Sequence, residues 1–301
     1  MKKPLVFLLI PFLFLTSCSR EEEPQPSNSS DSSNNSSSQV KVSIEMEETT
    51  SFTTDRRFIG GVNGTIAGDL YIPNNSQEIY PLIIISHGFG GNRSSTRGVA
   101  EKMAKAGAAA FIFDFCGGGQ GSESDGDMQH MSVLTEARDL DAVVDYLKED
   151  ERFDPDNIFL LGKSQGGFVS TYVAATRDDI KGLLPFYPAY CIRDDAEKEY
   201  ASADLVPETY SVLGFATVGK IYYVDAVSFD IYELMEQYEN NVLLFHGTND
   251  TVVPYEYSVR ASQTFPHCEF ITYQGAGHGF SGNDDTDSIN RSIQFLKDNL
   301  D

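Results

Sequence analysis

The twelve residues from Asn157 to Phe168, Asn-Ile-Phe-Leu-Leu-Gly-Lys-Ser-Gln-Gly-Gly-Phe, leave this chain few folds to choose from. A short apolar run over 158–161 meets Gly162-Lys163-Ser164-Gln165-Gly166, and a helical pattern of small residues continues through Val169, Tyr172, Val173 and Ala174. That is the strand, sharp turn and helix that a G-x-S-x-G motif requires. At such a turn the flanking positions tolerate little beyond Gly, and the Ser164 hydroxyl is lifted off the carboxyl end of the strand within reach of a base. Ser164 is therefore a candidate nucleophile. Three fixed positions recur by chance, so the pentapeptide draws its weight from the flanking strand and helix and from partners elsewhere in the chain.

The rest of the sequence predicts an α/β fold. Apolar runs over 82–86, 109–115, 158–161, 182–186, 242–245 and 270–273 alternate with helical patterns over 96–105, 132–148, 167–175, 231–238, 256–263 and 287–299. Such alternation argues for right-handed crossovers and a mainly parallel, twisted sheet with helices on both faces. Two antiparallel strands are expected to open it, because Asn63-Gly64 suits a type I′ turn between 58–61 and 66–72. The folded domain is expected over 40–301, starting with a strand in which Val40, Val42, Ile44 and Met46 alternate with polar residues. Residues 189–229 break the rhythm with about forty residues of no clear strand–helix unit. A structureless loop of that length is uncommon in a compact domain and is usually functional, so it is expected to be an inserted lid.

Ahead of the domain, Lys2 and Lys3 precede an apolar run over 5–15 that is too short to span a bilayer and has the proportions of a signal-peptide core. Leu15-Thr16-Ser17-Cys18 resembles a bacterial lipobox, which implies cleavage after residue 17 and lipidation of Cys18. Residues 18–39 then read as a tether. From Ser19 to Gln39 there is no aliphatic or aromatic side chain to offset the entropy of ordering, and as a flexible coil the segment reaches about 25 Å. The expected setting is extracytoplasmic, on a bacterial membrane. A net charge of −23 excludes nucleic acid as a partner, since phosphate binding needs clustered Lys and Arg. Cys18, Cys116, Cys191 and Cys268 show no C-x-x-C pair and no zinc-like His spacing, so neither a metal nor a disulfide framework is expected.

A serine needs a base, and the base needs a group that holds its tautomer. His278 lies in Gly275-Ala276-Gly277-His278-Gly279-Phe280, directly after the last expected strand and on the Ser164 side of the sheet. Asp250, in Asn249-Asp250-Thr251-Val252-Val253-Pro254, follows the strand over 242–245 and is the candidate orienting carboxylate. As a bare Asp before a helix it could instead be an N-cap, with Asp230 as the alternative partner of the histidine. The chain order Ser164, Asp250, His278 matches the Ser…Asp/Glu…His order of one hydrolase fold. His87-Gly88-Phe89-Gly90-Gly91 is an H-G-x-G type of loop, and the backbone N–H groups of Phe89 and Gln165 are the candidate oxyanion donors. His87 itself is expected to pack and orient that loop.

Ser164 in its turn, His87 to Gly91, Asp114-Phe115-Cys116-Gly117-Gly118-Gly119, Asp250 with Val253-Pro254, and Gly277-His278-Gly279 together resemble the α/β-hydrolase superfamily. Within it they look like the cinnamoyl and feruloyl esterase group related to dienelactone hydrolases. The resemblance, over residues 40–300, implies a cofactor-free Ser-Asp-His carboxylester hydrolase that works through an acyl-enzyme on small-molecule or polysaccharide-linked esters. Two features depart from the group: there is no Trp to wall an aromatic pocket, and the lid sequence is not diagnostic. Dienelactone hydrolases use a Cys nucleophile, where this chain has Ser164. Tyr190, Asp204, Tyr210 and Tyr222 are the expected substrate contacts of the lid, rings walling a flat acyl group while a phenol or carboxylate meets a substrate hydroxyl. Charges such as Arg193, Asp194, Asp195, Glu197 and Glu208 are expected to leave little continuous apolar surface, favouring aryl or short acyl esters over lipids. The competing expectations are a prolyl-type serine peptidase or acyl transferase on the same fold, and a non-catalytic binding lipoprotein. The peptidase is disfavoured by a domain of about 260 residues with no room for a propeller, the binder by the intact triad residues.

Overall fold

The computed structural model describes residues 44–301; the expected leader, Cys18, the tether, and Val40 and Val42 lie outside the described residues. In chain order the strands are β1 (Phe52–Gly61), β2 (Gly64–Pro73), β3 (Tyr80–Ser86), β4 (Ala109–Phe113), β5 (Phe153–Lys163), β6 (Gly182–Phe186), the short pair β7 (Thr209–Val212) and β8 (Ala216–Gly219), β9 (Asn241–Gly247) and β10 (Cys268–Tyr273). The α-helices are α1 (Arg97–Lys105), α2 (Val133–Lys148), α3 (Gln165–Thr176), α4 (Ile192–Glu199), α5 (Lys220–Ala226), α6 (Ile231–Met235), α7 (Tyr255–Thr264) and α8 (Gly282–Asp298). Eight strands form one sheet in the order β1-β2-β4-β3-β5-β6-β9-β10. β1 with β2 and β2 with β4 are antiparallel; every other neighbouring pair in it is parallel. This is the α/β-hydrolase fold, with β5 and Ser164 near the middle of the sheet.

The strands are apolar on both faces because both faces are covered. Leu82, Ile83, Ile84 and Ile85 of β3 are all fully buried. The two-residue period of a strand sends Leu82 and Ile84 to one side, among Val143 and Leu147 of α2 and Val169 and Val173 of α3. It sends Ile83 and Ile85 to the other, among Val99 and Met103 of α1 and Ile289 and Leu296 of α8. Each such side chain contributes about 1.5–3 kcal/mol of transfer free energy, so the two clusters hold the sheet between its helices. α2 starts where Ser132 and Thr135 close a reciprocal capping box.

Three expectations need correction. Ile44 and Met46 are not in a strand; the segment is held by side bonds, with Thr49 N–H donating to the Lys105 carbonyl and Asn75 Nδ2 to the Glu47 carbonyl. The first strand instead begins at Phe52. The β1–β2 hairpin turns over Val62 and Asn63, one residue earlier than expected, and neither takes a positive φ, so it is not a type I′ turn. Asn63 is used elsewhere: its amide donates to the Thr135 carbonyl and to Asp139 Oδ1, tying the hairpin to α2. Finally, residues 189–229 are not structureless, since they hold α4, a 3-10 turn over Ala203–Leu205, the β7–β8 hairpin and α5.

A buried ion network fastens the loop after β3. Arg93 Nε donates to Asp69 Oδ2 at 3.0 Å, its Nη1 to Asp114 and its Nη2 to Glu123 at 2.7 Å, while Asp114 also accepts the Arg93 and Glu123 N–H groups. Arg93 and both aspartates are buried. Removing one partner of such a set leaves uncompensated charge in a low-dielectric interior. Arg93→Met should therefore lower stability by about 3–5 kcal/mol, read from urea denaturation midpoints at unchanged slope; a loss under about 1 kcal/mol would mean that the carboxylates rehydrate freely.

Candidate active site

Ser164 occupies the junction between β5 and α3 with φ 53° and ψ −120°, outside the regions comfortable for an L side chain. The surrounding backbone enforces this conformation. Ser164 N–H donates to the Phe186 carbonyl at 2.9 Å, and the Ser164 carbonyl accepts from the Gly167, Phe168 and Ala189 amides. The flanking glycines allow the tight crossing. A Cβ on Gly162 would lie 2.1 Å from the Gly166 carbonyl oxygen, and one on Gly166 would lie 2.3 Å from that of His87.

His278, in the loop after β10, and Asp250, in the loop after β9, converge on Ser164. His278 Nε2 is 3.0 Å from Ser164 Oγ and its Nδ1 is 2.7 Å from Asp250 Oδ2. Because the carboxylate can only accept, Nδ1 carries the proton and Nε2 is left as the acceptor facing the hydroxyl. The Asp250 side chain is fully buried, whereas that of His278 is 22% exposed, so the imidazole reaches solvent while the carboxylate behind it stays dry. Burial alone would raise the Asp250 pKa, but bonds from His246, His278 and the Val253 and Val252 amides outweigh it and hold the carboxyl well below the usual carboxylate range. Asp250 is not the N-cap of α7, a position Pro254 holds; its Oδ1 instead accepts from the Val252 and Val253 amides in the loop ahead of that helix, while Oδ2 meets His278. Asp230 does not compete, being the N-cap of α6 through the Tyr232 amide.

The loop after β3 crosses directly against the serine, where a Cβ on Gly88 would be 3.1 Å from Ser164 Cβ. Neither the Phe89 nor the Gln165 backbone N–H has a protein acceptor among the described residues, and both residues line the cavity that contains Ser164. His87 is buried, accepts the Phe115 N–H at Nε2 (3.3 Å) and donates from Nδ1 to the Gly88 carbonyl (2.8 Å). Burial holds its pKa below the ordinary imidazole value, so it is a neutral brace for the loop.

That cavity, about 380 Å³, runs from Ser164 to Ala189, to Ile192 and Glu199 of α4, to Tyr210, Val212 and Leu213 of the hairpin, and to Tyr222 of α5. Of the four expected lid contacts, Tyr210 and Tyr222 line it. Tyr190 does not: it is buried in the core, with its hydroxyl 2.7 Å from Thr171 Oγ1. Asp204 does not either, lying exposed in the 3-10 turn. Strand and helix patterns reveal where an insertion lies but not which of its aromatic rings face inward, and Tyr190 and Phe229 are spent on packing against Phe168. The charges interrupting the insertion collect largely on α4, leaving Leu213 and Phe215 at the hairpin tip and Ile221 and Val224 on α5 exposed. Phe215 leans on Phe89 with ring centroids 5.8 Å apart.

Two residues of the site were missed from the sequence. His246, fully buried, lies with Nε2 3.2 Å from Asp250 Oδ2 and Nδ1 2.6 Å from Ser258 Oγ, so it supports the carboxylate from behind. Its position four residues before Asp250, at the end of an apolar strand, was the available signal. Tyr187 takes φ 38° and packs its ring edge-on to His278 at 4.9 Å; nothing in the local sequence marked it. Cys116, Cys191 and Cys268 are free thiols, and among the described residues no cluster of His, Cys, Asp or Glu is arranged to hold a metal.

The turn geometry generates a direct test. Gly166→Ala drives a methyl group into the His87 and Ser86 carbonyls, so it should cost about 1–3 kcal/mol or more and displace the loop over Ser164. A variant with an unchanged denaturation midpoint would show that α3 can move away without penalty.

Comparison with known proteins adds to this geometry. The chain is similar to cutinase est2 of Thermobifida alba, 27% identical over 144 residues that cover 46% of this chain and 44% of the relative. Cutinase 2 of Thermobifida cellulosilytica is 26% identical over 144 residues, 46% of this chain and 50% of the relative. The chain spans about half the length of the curated relatives it matches. Among solved structures, Est1E from Butyrivibrio proteoclasticus with ferulic acid bound superposes with a TM-score of 0.71 at 28% identity, over 80% of this chain and 96% of that one. An acetyl xylan esterase from Paenibacillus sp. R4 shares the fold at 17% identity, with a TM-score of 0.64 over 84% of this chain and 87% of that one. The family model described as the prolyl oligopeptidase family matches residues 94–301. That match takes in β4 to α8, the Ser164 turn and both partner loops, and on it the chain belongs to the prolyl oligopeptidase family, peptidase S9.

Proposed function

We propose that this protein is a serine carboxylester hydrolase acting on aryl or short acyl esters. The observation that carries the reading is the hydrogen-bonded line from Ser164 Oγ through His278 to a buried Asp250, opening onto a cavity with two unengaged backbone amides. His278 Nε2 takes the Ser164 proton as Oγ attacks the ester carbonyl, and the Phe89 and Gln165 amides receive the oxyanion. The imidazolium protonates the departing alcohol, leaving an acyl-serine. Water then enters, gives its proton to His278, and the acid is released with Ser164 restored. A low Asp250 pKa keeps the carboxylate charged through the cycle, so it stabilises the imidazolium without taking its proton.

An ester is favoured over a peptide bond by the likeness to cutinases and to a structure holding ferulic acid, and by a cavity of about 380 Å³ with Phe89, Tyr210 and Tyr222 on its walls. Family membership alone leaves the peptide open, so the test includes both. With p-nitrophenyl acetate, methyl ferulate, a long-chain triglyceride and a prolyl p-nitroanilide, wild type should turn over the first two, and Ser164→Ala and His278→Ala should each lose about 10⁴-fold or more in kcat with unchanged circular dichroism. Asp250→Asn should lose about 10⁴-fold through the wrong tautomer. Preference for the anilide or the triglyceride, or turnover in Ser164→Ala, would end the reading.

The setting we propose, from the Leu15-Thr16-Ser17-Cys18 motif, is a lipid-anchored protein on the outer side of a bacterial membrane. Two or more acyl chains on Cys18 give stable anchoring where one is marginal. The full chain should partition with membranes and take up labelled palmitate, and Cys18→Ser should abolish both; a soluble wild type beginning at another residue would refute the anchor.

A further inference from the structure

Behind the Ser164 cavity runs a polar chain that the reaction itself does not use. Gln165, the residue after the serine, is almost wholly buried; its Nε2 donates to Glu136 Oε2 of α2 at 2.8 Å, and its Oε1 accepts from the Tyr222 hydroxyl of α5 at 2.6 Å. Tyr222 packs its ring on Phe89 at 5.6 Å and lines the cavity. One amide therefore joins the turn, the loop over it and the insertion. Without Glu136, the nitrogen end keeps only a weak contact to Met131 Sδ at 3.6 Å, which does little to decide which way an amide with oxygen and nitrogen ends of nearly equal shape points.

We propose that Glu136 is a positioning residue: through the Gln165 side chain it fixes Tyr222 of the insertion against the oxyanion loop, and so sets the acyl wall of the cavity. The inference rests on the esterase reading above. Glu136 touches no reacting atom, and its influence passes wholly through Gln165.

The local physics explains why a carboxyl is suited to this post and when it fails. Glu136 is 2% exposed, and among the described residues no Lys or Arg pairs with it; Gln165 and Asp139 are the groups that act on it besides burial. Desolvation pushes its pKa up to about 8, Gln165 opposing and Asp139 adding to the rise. The groups facing it are Asp139 on its own helix, itself pushed up to about 6 by burial, Gln165 on α3 and Tyr222 on α5. On α5, Asp225 accepts from the Ser132 hydroxyl one turn before Glu136. At neutral pH Glu136 is thus a protonated acid. Above about 8 it becomes a buried anion beside Asp139, with one neutral amide to compensate it, which favours opening the contact to water. Since the folded value lies above the ordinary 4.5, the unfolded chain binds fewer protons between the two, so stability falls as pH rises through that window.

The experiment compares wild type, Glu136→Gln, Glu136→Ala, Tyr222→Phe and Ser164→Ala on p-nitrophenyl acetate and methyl ferulate from pH 6 to 10, with thermal melts alongside. Glu136→Ala and Tyr222→Phe should each lower the feruloyl-to-acetyl ratio of kcat/KM by about five- to tenfold, mainly through KM, as expected for one lost hydrogen bond. The double variant Glu136→Ala/Tyr222→Phe, run in the same series, should do no worse than either alone, because both cut the same chain. Glu136→Gln keeps an acceptor for Gln165, so it should restore the ratio, remove the decline of feruloyl activity above pH 8, and melt with less dependence on pH. An unchanged ratio in folded Glu136→Ala, additive losses in the double variant, or an alkaline decline retained in Glu136→Gln would each overturn the proposal. If Glu136→Ala does not fold, Tyr222→Phe and the pH profile of Glu136→Gln decide it. Loss of all activity in Ser164→Ala with an insensitive Glu136 series sinks this inference alone, whereas active Ser164→Ala sinks the esterase reading beneath it.

Discussion

The strained backbone of Ser164 is the constraint on which the rest of the site depends. A positive φ at a non-glycine costs on the order of 1–3 kcal/mol and persists only where the surroundings over-determine it. Here they do: the Ser164 amide is held by β6, its carbonyl receives three amides, and the glycines on either side let β3, β5 and α3 meet at distances no side chain would allow. The strain exposes the hydroxyl at the carboxyl edge of the sheet, where the loops after β3, β9 and β10 also end. The two core clusters supply the rigidity that keeps this geometry in place.

Around that turn the polar groups are layered by their access to water. His278 is partly open, Asp250 is closed, and His246 and Ser258 stand behind it. Each layer fixes the hydrogen-bonding direction of the next, so the proton arrangement at Ser164 is set by residues buried behind it. On the opposite side Gln165 plays a comparable part, with Glu136 behind it and Tyr222 ahead. The Arg93 network does the same for the loop after β3, using buried charge to hold a loop that would otherwise be free to shift.

The fold was legible because its signals are local or periodic. Six apolar runs of strand length became six parallel or flanking strands, with 182–186 matching β6 end to end. Differences at element ends have identifiable causes: α8 starts five residues early because Asp284 and Asp285 suit an N-terminal turn, and the hairpin shifts because Asn63 is drawn to α2. Residues 189–229 were set apart by the absence of a pattern, and such absence carries no information about content. Hence its helices, its hairpin and the burial of Tyr190 were not foreseen.

The sequence by itself determined the strand, sharp turn and helix around Ser164, the order and sheet edge of Ser164, Asp250 and His278, and the glycine-rich loop beside them, because each is written in contiguous residues whose backbone demands are local. Tertiary structure alone decided that Asp250 is flanked by two histidines, that Tyr187 braces His278, and that Tyr210 and Tyr222 line the cavity while Tyr190 and Asp204 do not. Apart from His246, four residues before Asp250, those relations join residues tens of positions apart, and all of them are set by packing whose outcome depends on every neighbour at once. Glu136 is the clearest case: in the sequence it is one acidic residue on an amphipathic helix, and only the approach of α2, α3 and α5 makes it a buried acid behind Ser164 and Gln165.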